Sequence, residues 1–254
     1  MNTRGNFMSK VFQITTIILF ICQLKPTTGF SKESIFSAAN NITFSNTDET
    51  KSFVGNGFLI SHNGKTYAVT AKHVLLETQE SGIKFIDIKD HFKHWRLKPF
   101  NSDTGEVVLG QLLNTNSSEE LNFDVLKDDW LLFNVSENNS SLIPLKLASD
   151  YPHKNQSLHA YGCSYSNKNQ CTQNKYTGHY VKSNGHNLLI ELNMPSENMN
   201  TLRGLSGAPV LNSNNEVVAI VSNVINDKES NTVYFAPFSI NPLLNYLNHS
   251  KFGS

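Results

Sequence analysis

The chain has 254 residues, of which 39% are hydrophobic, with 21 basic residues against 21 acidic ones. That length supports one sizeable core, and two-barrel β proteins of this size fold as one unit. The balanced charge excludes a strong field toward nucleic acid or an anionic membrane surface, and the composition is that of a globular chain, not a disordered one.

The first residues read as a targeting segment. Arg4 and Lys10 supply positive charge, and Val11 to Leu24 forms a short apolar run interrupted by Gln13, Thr15 and Thr16. The run is shorter than the ~20 residues a spanning helix needs. Thr27-Thr28-Gly29 offers a small-residue exit, so residues 1–29 are expected to be a cleaved signal peptide, and 30–254 the mature domain. Ile21 before Cys22 is a poor fit to a lipidation site. The expected location is outside the cytosol, secreted or periplasmic, with no stable membrane insertion after cleavage.

Residues 30 to about 50 read as a polar short helix or extended lead-in. From Lys51 the pattern turns β-like. Ser52 to Ile60 and Lys65 to Thr70 flank Asn63-Gly64, a hairpin turn signal. Gly55-Asn56-Gly57 fits a bulge or a tight strand contact. Further short runs follow at Ile83–Ile88, Glu106–Leu112, Trp130–Val135, Ser157–Tyr161, Thr177–Val181, Asn187–Leu192, Ala208–Leu211, Glu216–Asn223 and Thr232–Ala236. Many short strands separated by Gly, Asn and Ser predict an all-β barrel or sandwich architecture. Asn241 to Leu247 predicts a short C-terminal helix, with Asn241 as cap and Pro242 in the first position.

Three places carry chemistry. Gly204-Leu205-Ser206-Gly207-Ala208-Pro209 sets a serine in a glycine-framed turn, where backbone N–H groups can be aimed at one point. His73 ends the apolar run Tyr67 to Thr70. Asp129 immediately precedes the apolar run Trp130 to Val135; Asp128 and Asp124 compete with it. A serine nucleophile needs a base to take its proton and an acid to orient that base, and His, Asp, Ser is one of the chain orders in which such a set occurs.

With these residues the chain resembles the trypsin-like serine peptidase family, in the bacterial, HtrA-like style of protease domain and without a PDZ module. Thr70-Ala71-Lys72-His73 resembles the family's Thr-Ala-Ala-His, and Gly204 to Pro209 resembles its Gly-Asp-Ser-Gly-Gly-Pro box. The resemblance spans roughly Val54 to Leu247. It implies two six-stranded antiparallel β-barrels, roughly 50–145 and 146–240, with the cleft between them. It implies Ser206 as nucleophile, His73 as general base, Asp129 as its orienting acid, and the amides of Gly204 and Ser206 as oxyanion hole. Counting along the family pattern puts Asn200 near the floor of the substrate pocket and Val224 at its wall. That favours small or medium apolar side chains over Lys or Arg. Ser222 falls at the same pocket and is placed to hold the aspartate. Leu205 stands where many animal members carry an aspartate that pairs with a freshly cut N-terminus, so activation by that clipping is not expected.

The implied activity is a serine endopeptidase acting on protein or peptide substrates through an acyl-enzyme, with no metal, cofactor or nucleic acid. The alternative is an inactive member of the fold that serves as a binding protein. A lipase-type acyl hydrolase is disfavoured, because its Gly-x-Ser-x-Gly elbow followed by Asp and then His is absent.

Cys163 and Cys171 stand eight positions apart. Outside the cytosol they are expected to form a disulfide contributing roughly 2–3 kcal/mol. His91-x-x-His94 lacks the partners of a zinc site and reads as a solvated strand edge or loop. Asn41, Asn116, Asn134, Asn138, Asn139, Asn155 and Asn248 stand in Asn-x-Ser/Thr triplets, which carry glycans in a eukaryotic secretory route and are chance in a bacterial one.

Overall fold

The computed structural model describes Met1 and residues 34–250, apart from positions 48, 89 and 229 and the side chains at 79–81. Apart from Met1, the expected signal peptide at 1–29, with Cys22, lies outside the described residues. The first half contributes β1 (Ala38–Phe44), β2 (Thr50–His62), β3 (Lys65–Thr70), β4 (Phe85–Ile86), β5 (Phe92–Lys98), β6 (Val107–Leu112), β7 (Asn116–Glu120) and β8 (Leu131–Asn138). The second contributes β9 (Lys146–Leu147), β10 (Ser157–Gly162), β11 (Asn174–Asn184), β12 (Asn187–Leu192), β13 (Pro209–Leu211), β14 (Glu216–Asp227) and β15 (Thr232–Ser239), then α1 (Asn241–His249).

Strands β1-β2-β3-β8-β6-β5 close on themselves as one antiparallel barrel. In the second half the order runs β10-β11-β12-β15-β14, and β13 pairs with both β14 and β10, which closes a second six-stranded ring. The two-residue β9 joins that sheet outside the ring, parallel to β14. Closure removes the free edges that invite other strands to pair. The alternation typical of half-buried strands is plain in β10, where Leu158, Ala160 and Gly162 point inward and the residues between them do not.

Two expectations are corrected here. The stretch read as a polar lead-in holds β1, a full barrel strand whose Ala38, Ile42 and Phe44 are buried. Asn40 is also buried, and this polar residue at an inward position hid the apolar pattern. The His91-x-x-His94 stretch, read as a solvated edge or loop, is not an edge: from Phe92 it belongs to β5, which pairs with β1 on one side and β6 on the other, with Trp95 and Leu97 in the core. His94 stays exposed and pairs in register with Thr43. Among the described residues no group of three His, Cys, Asp or Glu is arranged to hold a metal.

Leu59, Trp95, Leu97 and Phe133 fill the first barrel, and each large apolar side chain so buried stabilises by about 1.5–3 kcal/mol relative to exposure. Leu158, Ile190, Val210, Val218 and Phe235 fill the second. The first core runs on through Leu211, Ile220 and Phe238 to Leu243 and Leu247 of α1, so the C-terminal helix is packed into it. Tyr246 on that helix donates to the carbonyl of Leu113 at 2.6 Å and stacks edge-on against Trp130. The residue capping the helix is Ile240, without a side-chain bond; Asn241 already lies inside the first turn, as does Pro242. No helix among the described residues is long and apolar enough to cross a membrane.

Candidate active site

His73 sits in the 3₁₀ segment Lys72–Ser81, directly after β3. Asp129 caps the C-terminal end of another 3₁₀ segment, Phe123–Asp128, just before β8. Because β3 and β8 are paired, with Thr70 opposite Leu131, the residues just after one and just before the other must meet. Ser206 comes from the second half, in the turn before β13.

The three side chains form one hydrogen-bonded line. His73 Nδ1 lies 2.7 Å from Asp129 Oδ2, and His73 Nε2 lies 2.7 Å from Ser206 Oγ. Asp129 is fully buried, and its Oδ1 accepts from the backbone amide of His73 at 2.9 Å. Ser222 Oγ donates to Asp129 Oδ2. Burial alone would raise the pKa of Asp129. The His73 charge, the bonds from the imidazole and Ser222, and the His73 amide outweigh it and hold the carboxyl below the usual range. Burial likewise works against a charged His73, and Asp129, with a smaller contribution from Glu77, overrides it and holds the imidazole above its ordinary value. Asp128, the rival acid, faces elsewhere: it pairs with Lys72 at 3.2 Å and accepts from Trp130 Nε1 at 2.7 Å.

The nucleophile turn is fixed by its peptide planes. The carbonyl of Arg203 accepts from the amide of Tyr165 at 2.8 Å, and a trans peptide then turns the N–H of Gly204 the opposite way. The carbonyl of Leu205 accepts from Ala208 at 3.1 Å, which does the same for the N–H of Ser206. Both amides lack an acceptor among the described residues. Gly204 has φ +92°, and a Cβ there would meet the Tyr165 ring at 2.6 Å, so glycine is required. Leu205 is completely buried in the second core.

Two clefts flank Ser206. One, of about 240 Å³, is lined by Met199, Leu202, Val221 and Phe235, together with the three expected pocket residues Asn200, Ser222 and Val224. Asn200 lines it from an exposed position and Val224 is 43% exposed; Ser222 is buried, and the buried apolar lining is Met199, Leu202, Val221 and Phe235. Asn223 on the same wall holds a buried amide oxygen with no partner among the described residues. The other cleft, of about 140 Å³, contains His73, Glu77, Tyr165, Arg203 and Gly204. Cys163 and Cys171 are joined as a disulfide close behind the turn, with Cα atoms 5.9 Å apart.

Sequence reasoning missed two residues. Lys72, beside His73, is buried to 1% and bonds Glu119 Oε1 at 2.7 Å as well as Asp128. Its signal was the doublet: Lys-His on one side, Asp-Asp on the other. Asn56 is buried completely between the barrels and bonds the nucleophile turn. Its signal was a polar residue framed by glycines within an apolar strand.

Known proteins bear on this arrangement in three ways. No curated protein matches the chain. A solved structure of a Glu endopeptidase in complex with MPD is similar in fold, with a TM-score of 0.53 and 12% identity over 87% of this chain and 99% of that one. The family model described as "Trypsin-like peptidase domain" matches residues 55–220, a span that holds His73, Asp129 and Ser206. Two closed barrels and a match running from the first to the second make this chain a member of the trypsin-like peptidase family.

Proposed function

We propose that the protein is a secreted serine endopeptidase that cleaves peptide bonds through an acyl-enzyme formed on Ser206. The observation that carries this reading is the unbroken line Ser206 Oγ, His73 Nε2, His73 Nδ1, Asp129 Oδ2, with both links at 2.7 Å. Ser206 Oγ attacks the scissile carbonyl and gives its proton to His73 Nε2. The buried Asp129 carboxylate holds the imidazole in the tautomer with hydrogen on Nδ1 and stabilises the imidazolium that forms. The carbonyl oxygen becomes an oxyanion and is received by the N–H groups of Gly204 and Ser206. His73 then protonates the leaving amine, and water, deprotonated by the same imidazole, releases the acyl group.

The direction of the substrate is set by that proton. The leaving amine must lie on the His73 side of Ser206, so the cleft containing His73, Glu77 and Arg203 takes the leaving-group side. The cleft lined by Met199, Leu202 and Phe235 then takes the acyl-side residue, and its apolar lining favours a medium apolar side chain. A strict requirement for Lys or Arg at that position in a peptide library would overturn this preference.

Replacing Ser206 with Ala tests the peptidase reading. It should lower kcat on the order of 10⁶-fold and abolish labelling by a peptidyl phosphonate, while the protein stays folded. A wild-type protein that neither turns over peptides nor reacts with the phosphonate would instead be an inert member of the fold. Secretion rests on the charged and apolar N-terminal pattern and is tested by sequencing the N-terminus of the exported protein.

A further inference from the structure

The nucleophile turn belongs to the second barrel, yet its tightest restraints come from the first. Asn56 Nδ2 donates to the carbonyl of Gly204 at 2.7 Å and to that of Cys163 at 3.0 Å. Asn56 Oδ1 accepts from the amide of Cys163 at 3.1 Å, and the Asn56 amide donates to the carbonyl of Ser206 at 2.6 Å. One fully buried residue thus grips the turn on both sides of Leu205. The grip is rooted inside the first barrel. The Asn56 carbonyl accepts from Thr70 Oγ1 and Asn40 Nδ2, each at 2.7 Å, and Asn40 Oδ1 accepts from Trp95 Nε1 at 2.9 Å. The packing leaves little slack. A Cβ at Gly55 would stand 2.7 Å from the Ser206 carbonyl, and one at Gly162 would stand 2.6 Å from Asn56 Oδ1.

We propose that Asn56 is a positioning residue for the oxyanion hole: its side chain holds the Gly204–Leu205 peptide so that the amides of Gly204 and Ser206 converge before substrate arrives. The proposal rests on the peptidase reading. It explains how the turn keeps its shape with an uncharged Leu205. A buried amide that satisfies three backbone groups at once is costly to remove, and each group it abandons seeks a new partner by moving. Movement of the Gly204 carbonyl rotates the neighbouring donors, whereas the His73–Asp129 pair shares no bond with Asn56.

The test compares wild type with Asn56→Ala and the isosteric Asn56→Asp, which loses the donor. Active-site concentration is titrated with a phosphonate so that only folded enzyme is counted. The expected result is a fall in kcat per site approaching the 10²–10³-fold typical of a lost oxyanion donor, about unchanged KM, and a parallel loss of affinity for a peptide aldehyde, whose adduct places an oxyanion in the hole. The pH midpoint of kcat stays where it was. Undiminished kcat per site, or undiminished aldehyde affinity, overturns the proposal. If neither variant folds, wild type decides through the side-chain amide protons of Asn56. Saturating aldehyde should slow their exchange in proportion to its occupancy, because opening the grip and losing the hole are then one event; unchanged exchange overturns the proposal. Wild type that is inert toward both peptide and phosphonate refutes the peptidase reading instead.

Discussion

Lys72 and Asp128 are paired at 3.2 Å, one residue upstream of His73 and Asp129, which are themselves bonded at 2.7 Å. Two consecutive residues on each segment therefore meet two on the other. The outer pair joins the segment carrying His73 to the one carrying Asp129, and Glu119 adds a second carboxylate to the same ammonium.

Neutralising one acid is expected to separate the two aspartates by role. Asp129→Asn should lower kcat on the order of 10⁴-fold by favouring the wrong imidazole tautomer. Asp128→Asn, whose carboxylate is half exposed, should leave kcat within about tenfold of wild type. Steady-state kinetics on the two variants decide the assignment.

The double variant Glu119→Gln with Asp128→Asn strands the buried Lys72 ammonium without a counter-charge. Removing the partners of a buried ion typically costs about 3–5 kcal/mol, so the midpoint of urea unfolding should fall well below that of either single variant. Additive, small shifts would mean that the ammonium reaches water.

The pH optima for stability and activity should differ. The pKa of His73 is raised above 6.5, so its stabilising contribution is full below 6.5 and fades as pH climbs through the folded value. The pKa of Asp129 is lowered below 3.8, so its contribution is full above 3.8 and fades as pH drops through the folded value. The single pair they form is thus strongest between 3.8 and 6.5. Catalysis needs the neutral imidazole, so kcat/KM should rise with pH with a midpoint above 6.5. Thermal unfolding and kinetics across one pH series check both limbs.

Gly207→Ala should be among the most damaging single changes. Its φ of +82° disfavours any Cβ, and the added carbon would lie 2.1 Å from the Asn56 carbonyl. Backbone must move, so both folded yield and kcat should drop, as a soluble-fraction assay and active-site titration would reveal.

The disulfide is expected to resist mild reductant in the native state, since Cys163 and Cys171 are 0% and 4% exposed. The double Cys→Ser variant should lose roughly 2–3 kcal/mol in unfolding free energy, and the Asn56 grip on the Cys163 backbone loosens with it.

How legible the sequence was depends on the physics behind each residue. The residues of the cleft stood out because each ends or precedes an apolar run, and a buried strand fixes the position of the residues at its ends. The Asn63-Gly64 hairpin was equally plain, since φ is +48° at Asn63 and +74° at Gly64. Strand β1 escaped because its buried Asn40 looks polar in sequence and is silent about its partners Val54, Asn56, Thr70 and Trp95. Strand β7, Asn-Ser-Ser-Glu-Glu, is exposed almost throughout and owes its form to pairing with β4. Asn56 and Lys72 stayed hidden for a related reason: the side-chain partners of Asn56 lie 107 and 148 positions away, and those of Lys72 lie 47 and 56.

Leu205, wholly enclosed among the apolar side chains of the second half, anchors the serine-bearing turn by solvent exclusion where a charge pair would have used Coulomb attraction. Such a tether is indifferent to ionic strength, is tightened by sulfate and other excluded solutes, and slackens on cooling. The turn that carries Ser206 is therefore seated in the second core without an ion pair at position 205 to hold it there.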